Sequence, residues 1–419
     1  MCHDRWVRSV AIRSLAPFAA LLAARALAAP ALAAAPRGQR LASAPASPSA
    51  ATAAFGLRLL HVLGPGNLAF SPDSIATALA MAGSGARGST AAQIASTIGV
   101  GSPAAFGAVG ALQNTIAAEQ RAAAHGSSEA PTLDLADALF LQQGFALEPG
   151  FLTGLSTHFA TPAPLTVDFE HAPAAAAAAI NAWVSEHTQG IIPAIVGELE
   201  PSTRLALANA IYLKASWLDP FKTSETAPAA FHAGAHTSTV PFMHESDTLP
   251  YGRGRSYAAL ELPYAASTLS LMVVLPIGQN VAALERSLSS TGLARVARGL
   301  SARGVDVSLP RFHLKLQREL DAPLERLGMT DAFSARANFS GIMTSTPLQI
   351  GKVIHAADLK VDEQGTVAAA ATVVEVEATA ERSPIHPVAF DANRPFLFFL
   401  RDDRSGAVLF AGRLATPEE

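Results

Sequence analysis

Residue types that usually do chemistry are present in this 419-residue chain, but few stand at the spacing that chemistry needs. Gly83-Ser84-Gly85-Ala86-Arg87-Gly88 matches GxGxxG, the turn that lets a pyrophosphate approach backbone amides at a helix start. The motif follows a helical pattern instead of a strand, which removes the geometry that such binding requires. No GxSxG elbow, HExxH, phosphate-cradling P-loop or Cys/His metal spacing is present. Neither a metal nor a cofactor is therefore expected. The twelve histidines are scattered, and although a Ser/His/Asp triad is assembled in space and leaves no spacing rule, no motif points to one. The expectation is a protein that is not an enzyme. Asn338-Phe339-Ser340 has the form of a glycosylation sequon and no more. Cys2 is the only cysteine, so beyond the N-terminal leader there is no disulfide and no thiol chemistry.

The stretch VDEQGTVAAAATVVEVEATAERSP, Val361 to Pro384, is different in kind. One parity reads Thr366, Ala368, Ala370, Thr372, Val374, Val376, and the other ends in Glu375 and Glu377. The second half thus has the alternation of a strand with one buried and one wet face. The run Ala368, Ala369, Ala370, Ala371 favours helix or no fixed structure. Taken alone, the stretch fits a linker or a plain edge strand as well as it fits a functional loop.

The elements around it come from the rest of the chain. Hydrophobic content of 50% and a mean hydropathy of +0.27 owe much to alanine, with aromatics at 6%, and no internal apolar run approaches a membrane span. A net charge of −4 and the lack of a basic block with interleaved aromatics exclude nucleic acid as a partner. Arg5, Arg8 and Arg13 precede the apolar run Leu15 to Ala24, followed by small-residue sites at Ala26-Leu27-Ala28 and Ala31-Leu32-Ala33. That is the layout of a signal peptide over residues 1–35, predicting a secreted, periplasmic or extracellular protein. Residues 36–53, rich in Pro, Ser and Ala, read as a disordered tether. From residue 54 to 419 no low-complexity linker or repeat divides the chain, so one large domain is expected. Its first half reads as helices: SPDSIATALAMAGSGA with Ser71 or Asp73 as cap, STAAQIASTIGV capped at Ser89, and AAAAAAINAWVSEHTQG ended by Gly190. The second half reads as strands: LALANAIYLKASW, YAALELPY, LSLMVVLP, VDVSLPRFHLKL, PFLFFLRD and AVLFAGRL. Helices first and strands later make an α+β fold with a dominant antiparallel sheet.

An ordered series of short matches covers nearly all of residues 54–419. They are NLAFSPDSI (Asn67 to Ile75), GARGSTAAQI (Gly85 to Ile94), INAWVSEHTQGII (Ile180 to Ile192), ANAIYLKASWLDPF (Ala208 to Phe221), VPFM (Val240 to Met243), LELPY (Leu260 to Tyr264), LPRF (Leu309 to Phe312), VIHAADLKVDEQGT (Val353 to Thr366), FDANRPFLFFL (Phe390 to Leu400) and LFAGRL (Leu409 to Leu414). Through them the sequence resembles the serpins. The resemblance implies N-terminal helices packed on a large central β-sheet, further smaller sheets, and an exposed reactive-centre loop. It implies an inhibitor in which a target protease attacks the loop and is trapped as an acyl-enzyme when the loop enters the central sheet as a new strand. The alternative within the family is a non-inhibitory carrier or chaperone. The implied partner is a target serine protease, with cysteine proteases as a second class, acting on a monomer with no cofactor, nucleic acid or membrane.

On this resemblance the loop starts with a hinge at Glu363, Gly365, Thr366, Ala368, Ala369, Ala370, Ala371 and Thr372. Small, uncharged residues on one parity suit a strand that must slip between packed neighbours, where an unpaired charge would be costly. Val367 replaces the family's usual glutamate on the outward parity, where little effect on insertion is expected. Counting fifteen residues from the hinge glycine places the reactive bond at Thr379–Ala380, favouring elastase- or subtilisin-like enzymes. Counting back from FDANRPF points nearer Arg382–Ser383, a bond for trypsin-like ones. Ser71, Ser74, Asn209 and His355 match the family's shutter, a polar cluster beneath the sheet, and Trp217 matches the tryptophan of the breach at its top. Asp137, in ADALF, stands where the family tends to have asparagine. The helical region from Pro103 to Gly126 carries one Arg and no Lys, so glycosaminoglycan activation through it is not expected.

Overall fold

Alanine- and leucine-rich stretches, several of them with a proline directly after the cap residue, fold as helices, and β-branched and aromatic runs fold as strands. The computed structural model describes residues 47–124, 131–160, 163–366 and 387–417. Its helices are α1 (Pro48–Val62), α2 (Pro72–Ser84), α3 (Gly88–Ile98), α4 (Phe106–Ala124), α5 (Pro149–His158), α6 (Pro173–His187), α7 (Val281–Ser287), α8 (Ser290–Arg298) and α9 (Asp321–Arg326). The strands are β1 (Leu68–Phe70), β2 (Thr132–Gln142), β3 (Leu165–Val167), β4 (Leu205–Ser216), β5 (Ala227–Ala233), β6 (His236–Arg253), β7 (Tyr257–Pro263), β8 (Leu269–Pro276), β9 (Ser301–Pro310), β10 (Phe312–Glu319), β11 (Lys352–Asp362), β12 (Gly365–Thr366), β13 (Val388–Asp391), β14 (Phe396–Asp402) and β15 (Val408–Leu414).

Three local expectations are corrected. The tether ends before residue 53: Ser47 caps α1 by accepting from the Ala50 N–H at 3.2 Å, Pro48 takes the first position, and Ala51, Thr52 and Ala53 are buried. A Ser-Pro pair has loop composition but also starts helices, because the proline lacks only an N–H that would go unpaired there. Ser89 does not cap α3. It lies one residue inside the helix, and its hydroxyl donates to Asp331 at 2.7 Å. The helical first half also contains β2, whose last residues, Ala138 to Gln142, are all buried. A strand covered on both faces loses the alternation that would betray it.

The strands form two sheets. One runs β1-β15-β14-β8-β7-β6-β9-β13, with β5 paired to β6. The other runs β10-β11-β12-β4-β2-β3, with a direct β11–β4 pairing as well. Both faces of the second sheet are covered. Ala136 and Ala138 of β2 and Ala206, Ala208 and Ala210 of β4 make a floor of small side chains for Ile180 and Val184 of α6. Leu205 and Leu207 on the opposite face join the core under α1 and α2. At about 25 cal/mol per Å² of apolar surface, this double burial is what holds the central strands of that sheet in place.

Candidate functional site

The structure concentrates the predicted residues along one seam. Strands β11 and β4 run parallel and pair directly over six residues, Lys352↔Ala206 to Ala357↔Ile211. Beyond Ala357 the direct pairing ends, and the two-residue β12 sits between them instead, with Thr366 opposite both Val361 and Ala215 and Gly365 opposite both Asp362 and Ser216. The start of the predicted hinge therefore already occupies the gap between two strands. Thr366 is 1% exposed and its hydroxyl meets that of Tyr264 at 2.5 Å. Val361 and Ala215, its cross-strand partners, are buried too, so the Thr366 parity faces the core. Burial pushes the Tyr264 phenol well above its ordinary value despite that hydrogen bond. Gly365 is required where it stands: its φ is +147°, and a Cβ there would lie 1.9 Å from the Ala215 carbonyl oxygen. The rest of the predicted hinge, Ala368 to Thr372, and both candidate bonds, Thr379–Ala380 and Arg382–Ser383, lie outside the described residues.

Above this entry point, Trp217 stacks on Tyr264 with ring centroids 4.5 Å apart and planes at 14°. Its indole N–H donates to the Asp362 carbonyl at 2.9 Å, and its backbone N–H donates to the Gln364 carbonyl at 2.9 Å. Glu363 accepts from Arg311 Nε at 2.6 Å and from the Thr226 hydroxyl at 2.5 Å. Burial works to raise the Glu363 carboxyl, but the hydrogen bonds from Arg311 and Thr226 outweigh it and hold the group below its ordinary value. The turn feeding β12 is thus anchored on both sides.

Lower on the same seam lies a polar chain. The Ser71 N–H donates to His355 Nε2 at 3.2 Å. That fixes Nε2 as an acceptor and puts the proton on Nδ1, which donates to Asn209 Oδ1. The Asn209 amide donates in turn to Asp137, and Gln113 Nε2 donates to the other oxygen of Asp137 at 2.7 Å. His355↔Asn209 and Asn209↔Asp137 are also register partners, so the chain crosses β11, β4 and β2 before ending on α4. Burial lowers His355 to about 3, leaving it neutral. Ser71 caps α2, its hydroxyl accepting from the Ser74 N–H at 3.1 Å. The structure does not bring the Ser74 side chain into the chain; its hydroxyl is buried with no hydrogen-bond partner among the described residues.

Asp73, read from the sequence only as a candidate helix cap, and Asp137, noted only for the asparagine it replaces, are the site residues whose role sequence reasoning missed. Asp73, in the first turn of α2, is fully buried and both carboxylate oxygens lack a hydrogen-bond partner among the described residues. Burial, then repulsion from Asp137, raises its carboxyl to about 7. Burial also raises Asp137 to about 7, opposed by the bonds from Gln113 and Asn209. A cavity of about 280 Å³ lies beside this pair, lined in part by Gln113, Asp134, Asp137, Trp183 and His187. The only sequence signal was an aspartate in place of the asparagine usual in ADALF-like segments.

The chain matches the family model described as Serpin (serine protease inhibitor) over residues 50–417. It belongs to the serpin family. This serpin is 36% identical to the leukocyte elastase inhibitor of Bos taurus over 368 residues, spanning 84% of this chain and 93% of that protein. Human thyroxine-binding globulin complexed with its hormone superposes with a TM-score of 0.78 at 27% identity, covering 89% of this serpin and 99% of the other chain. The thermophilic serpin Tengpin in its native state superposes with a TM-score of 0.77 at 25% identity, covering 87% and 93%. The α+β serpin fold expected from the sequence is the fold observed. The family holds both protease inhibitors and a hormone-binding globulin, so activity has to be argued from the seam itself.

Proposed function

We propose that this serpin inhibits a serine-type endopeptidase by acting once as a suicide substrate. The protease serine adds to the carbonyl carbon of Thr379, the Ala380 amine leaves carrying a proton, and an ester joins the two proteins. The freed loop end then enters between β11 and β4, carrying the protease with it, and the distorted enzyme cannot hydrolyse the ester.

The observation that carries this reading is the seating of Gly365 and Thr366 between β11 and β4, with Thr366 on the buried face. Continuing the strand alternation from Thr366 turns Ala368, Ala370, Thr372, Val374 and Val376 to the core, while Val367, Glu375 and Glu377 stay wet. Insertion must first break the six-residue β11–β4 ladder, but the new strand pairs on both sides and so makes about twice the ladder it destroys. At about 0.5 to 1.5 kcal/mol for each net hydrogen bond, together with valine burial, insertion releases on the order of 10 kcal/mol. That is enough to drive a large displacement. The identity to leukocyte elastase inhibitors supports an elastase-like target, in keeping with Thr379–Ala380 over Arg382–Ser383. The signal-peptide layout of residues 1–35 supports an action outside the cytoplasm.

The test is incubation of the chain lacking its leader with an elastase, a subtilisin and a trypsin, followed by denaturing gels and intact mass of the released C-terminal fragment. A boiling-resistant complex and a fragment starting at Ala380 are expected. A fragment starting at Ser383 would move the specificity to trypsin-like enzymes, and cleavage by all three without a complex would refute the inhibitory reading.

A further inference from the structure

The chain carries a net charge of −4, yet from Tyr251 to Arg303 its only acidic residues are Glu261 and Glu285, both buried and paired with Arg401 and Arg413. In the same interval Arg253, Arg255, Arg295, Arg298 and Arg303 are exposed. Like Arg286 of α7, these five make no side-chain hydrogen bond or ion pair with another described residue. Their guanidinium groups are a charge asymmetry, on an acidic protein, that the folding of the described residues does not use.

The topology brings them together. Tyr251 of β6 pairs with Ser301 of β9, so Arg253 and Arg255 lie at the same end of that strand pair as Arg303. A Cβ at Gly252 would lie 3.2 Å from the Gly299 carbonyl oxygen, which puts the β6–β7 turn against the α8–β9 junction beside Arg298. Arg295 and Arg298 stand three apart on α8, on the side opposite the buried Leu293 and Val296. The nearest carboxylates along the two strands, Asp247 and Asp306, accept from the Thr248 N–H and the Ser246 hydroxyl, and neither pairs with an arginine among the described residues.

This end of the sheet is also where the chain returns after the predicted loop. Strand β13 runs parallel to β9 with Val388 opposite Val305, two residues past Arg303. The chain before Val388 therefore enters from the arginine end. Ala380 and Ser383 precede Pro387 by seven and four residues, so at full extension either candidate bond lies within about 25 Å of Pro387. That reach would let a protease closed on the bond bring its rim to these arginines.

We infer that the arginines of the β6–β7 turn, α8 and the start of β9 form a docking surface for a target protease whose rim beside the cleft is acidic. The inference rests on the loop being the bait, as proposed above. Arginine suits the task, because its fork can pair with a carboxylate through two parallel hydrogen bonds. Complementary charge at the rim acts mainly on the encounter rate and is screened by salt.

The experiment uses one protease with two surface charges: subtilisin, and subtilisin with its lysines succinylated, each active-site titrated with a small peptide substrate. The rate of loop cleavage or trapping is measured for the wild-type serpin and for the triple variant R295S/R298S/R303S. The expected result is that wild type consumes the succinylated enzyme about tenfold faster than the unmodified one at low salt. That advantage should vanish in the triple variant, and at about 1 M salt, where the Debye length is about 3 Å. Equal rates for wild type and variant on the succinylated enzyme would overturn the docking surface. So would such equality combined with wild-type-only retention on a sulfated polysaccharide column, which would assign the arginines to a polyanion instead. Loss of the inhibitory reading is seen separately, as cleavage without a covalent band, while the cleavage rate still reports on docking. Retention of α8 by circular dichroism shows that the variant is folded.

Discussion

The carboxylate pair beneath the seam makes the stability of the native sheet depend on pH, and Asp137→Asn isolates the effect. Burial pushes the Asp137 carboxyl up to about 7 in the folded protein, against an ordinary value of 3.8. A group whose folded value is raised binds its proton more tightly when native, so its stabilising contribution is complete below about pH 4 and is lost as pH climbs to about 7. A difference of about three pH units at about 1.4 kcal/mol each sets a ceiling of about 4 kcal/mol. The carboxylate is partly exposed beside the cavity, and solvent screening brings the expectation to about 2 kcal/mol. Asparagine fills the same volume, still accepts from Asn209, and can donate to Gln113 once that amide turns over. It also removes the repulsion that Asp137 exerts on Asp73. His355, neutral when folded and lowered to about 3, has the opposite sign: its contribution is present above about pH 6.5 and fades as pH falls. That term is common to both proteins and cancels in their difference. The assay is urea unfolding followed by tryptophan fluorescence at about pH 4.5 and 8. Asp137→Asn should be more stable than wild type by about 2 kcal/mol at the higher pH and by less than half of that at the lower. A variant less stable at pH 8, or a difference that ignores pH, would refute the reasoning.

The hinge offers three further tests. Thr366→Arg places a charge on the buried face opposite Val361 and Ala215; it should abolish the covalent complex while leaving the loop cleavable, as read on denaturing gels. Gly365→Ala puts a Cβ against the Ala215 carbonyl; it should expel β12, seen as faster hydrogen exchange at Gly365 and Thr366 and in the paired residues of β4. Trp217→Phe keeps the stack on Tyr264 but loses the indole N–H bond to Asp362; it should cost about 1 kcal/mol in thermal unfolding, and no loss would mean that the bond contributes nothing.

How much of this was legible in the sequence depended on whether a residue advertised its surroundings. Strands such as LSLMVVLP and PFLFFLRD declared themselves by composition, and Thr366, on the small-residue parity, is buried. Strand β2 did not, because both faces of its second half are covered. The start of α1 hid inside a Pro/Ser-rich stretch whose composition suits a tether equally well. Asp73 was legible only as a candidate helix cap, since nothing local reveals that α2 begins beneath a sheet. The partnership of Asp73 with Asp137 spans more than sixty positions and arises only when α2 packs under β2.

The placement of the polar chain also bears on how the sheet can open. Apolar side chains across the β11–β4 pairing would lose packing as soon as the strands part, with no compensation until the new strand arrives. His355 and Asn209 instead face each other through a hydrogen bond, and each is also held from outside the gap, His355 by the Ser71 N–H and Asn209 by Asp137. Parting the strands then breaks one side-chain bond while the outer partners keep both residues oriented. The freed imidazole N–H and amide oxygen can be taken up by an incoming backbone, since a strand entering between them presents both carbonyl and N–H groups. On this argument His355→Leu, which packs but cannot exchange partners, should slow loop insertion more than it destabilises the native sheet. Trapping by stopped-flow fluorescence would then fall at least tenfold relative to wild type while the urea midpoint stayed within about 10% of it. A parallel loss of both would show that the histidine serves the closed sheet and not its opening.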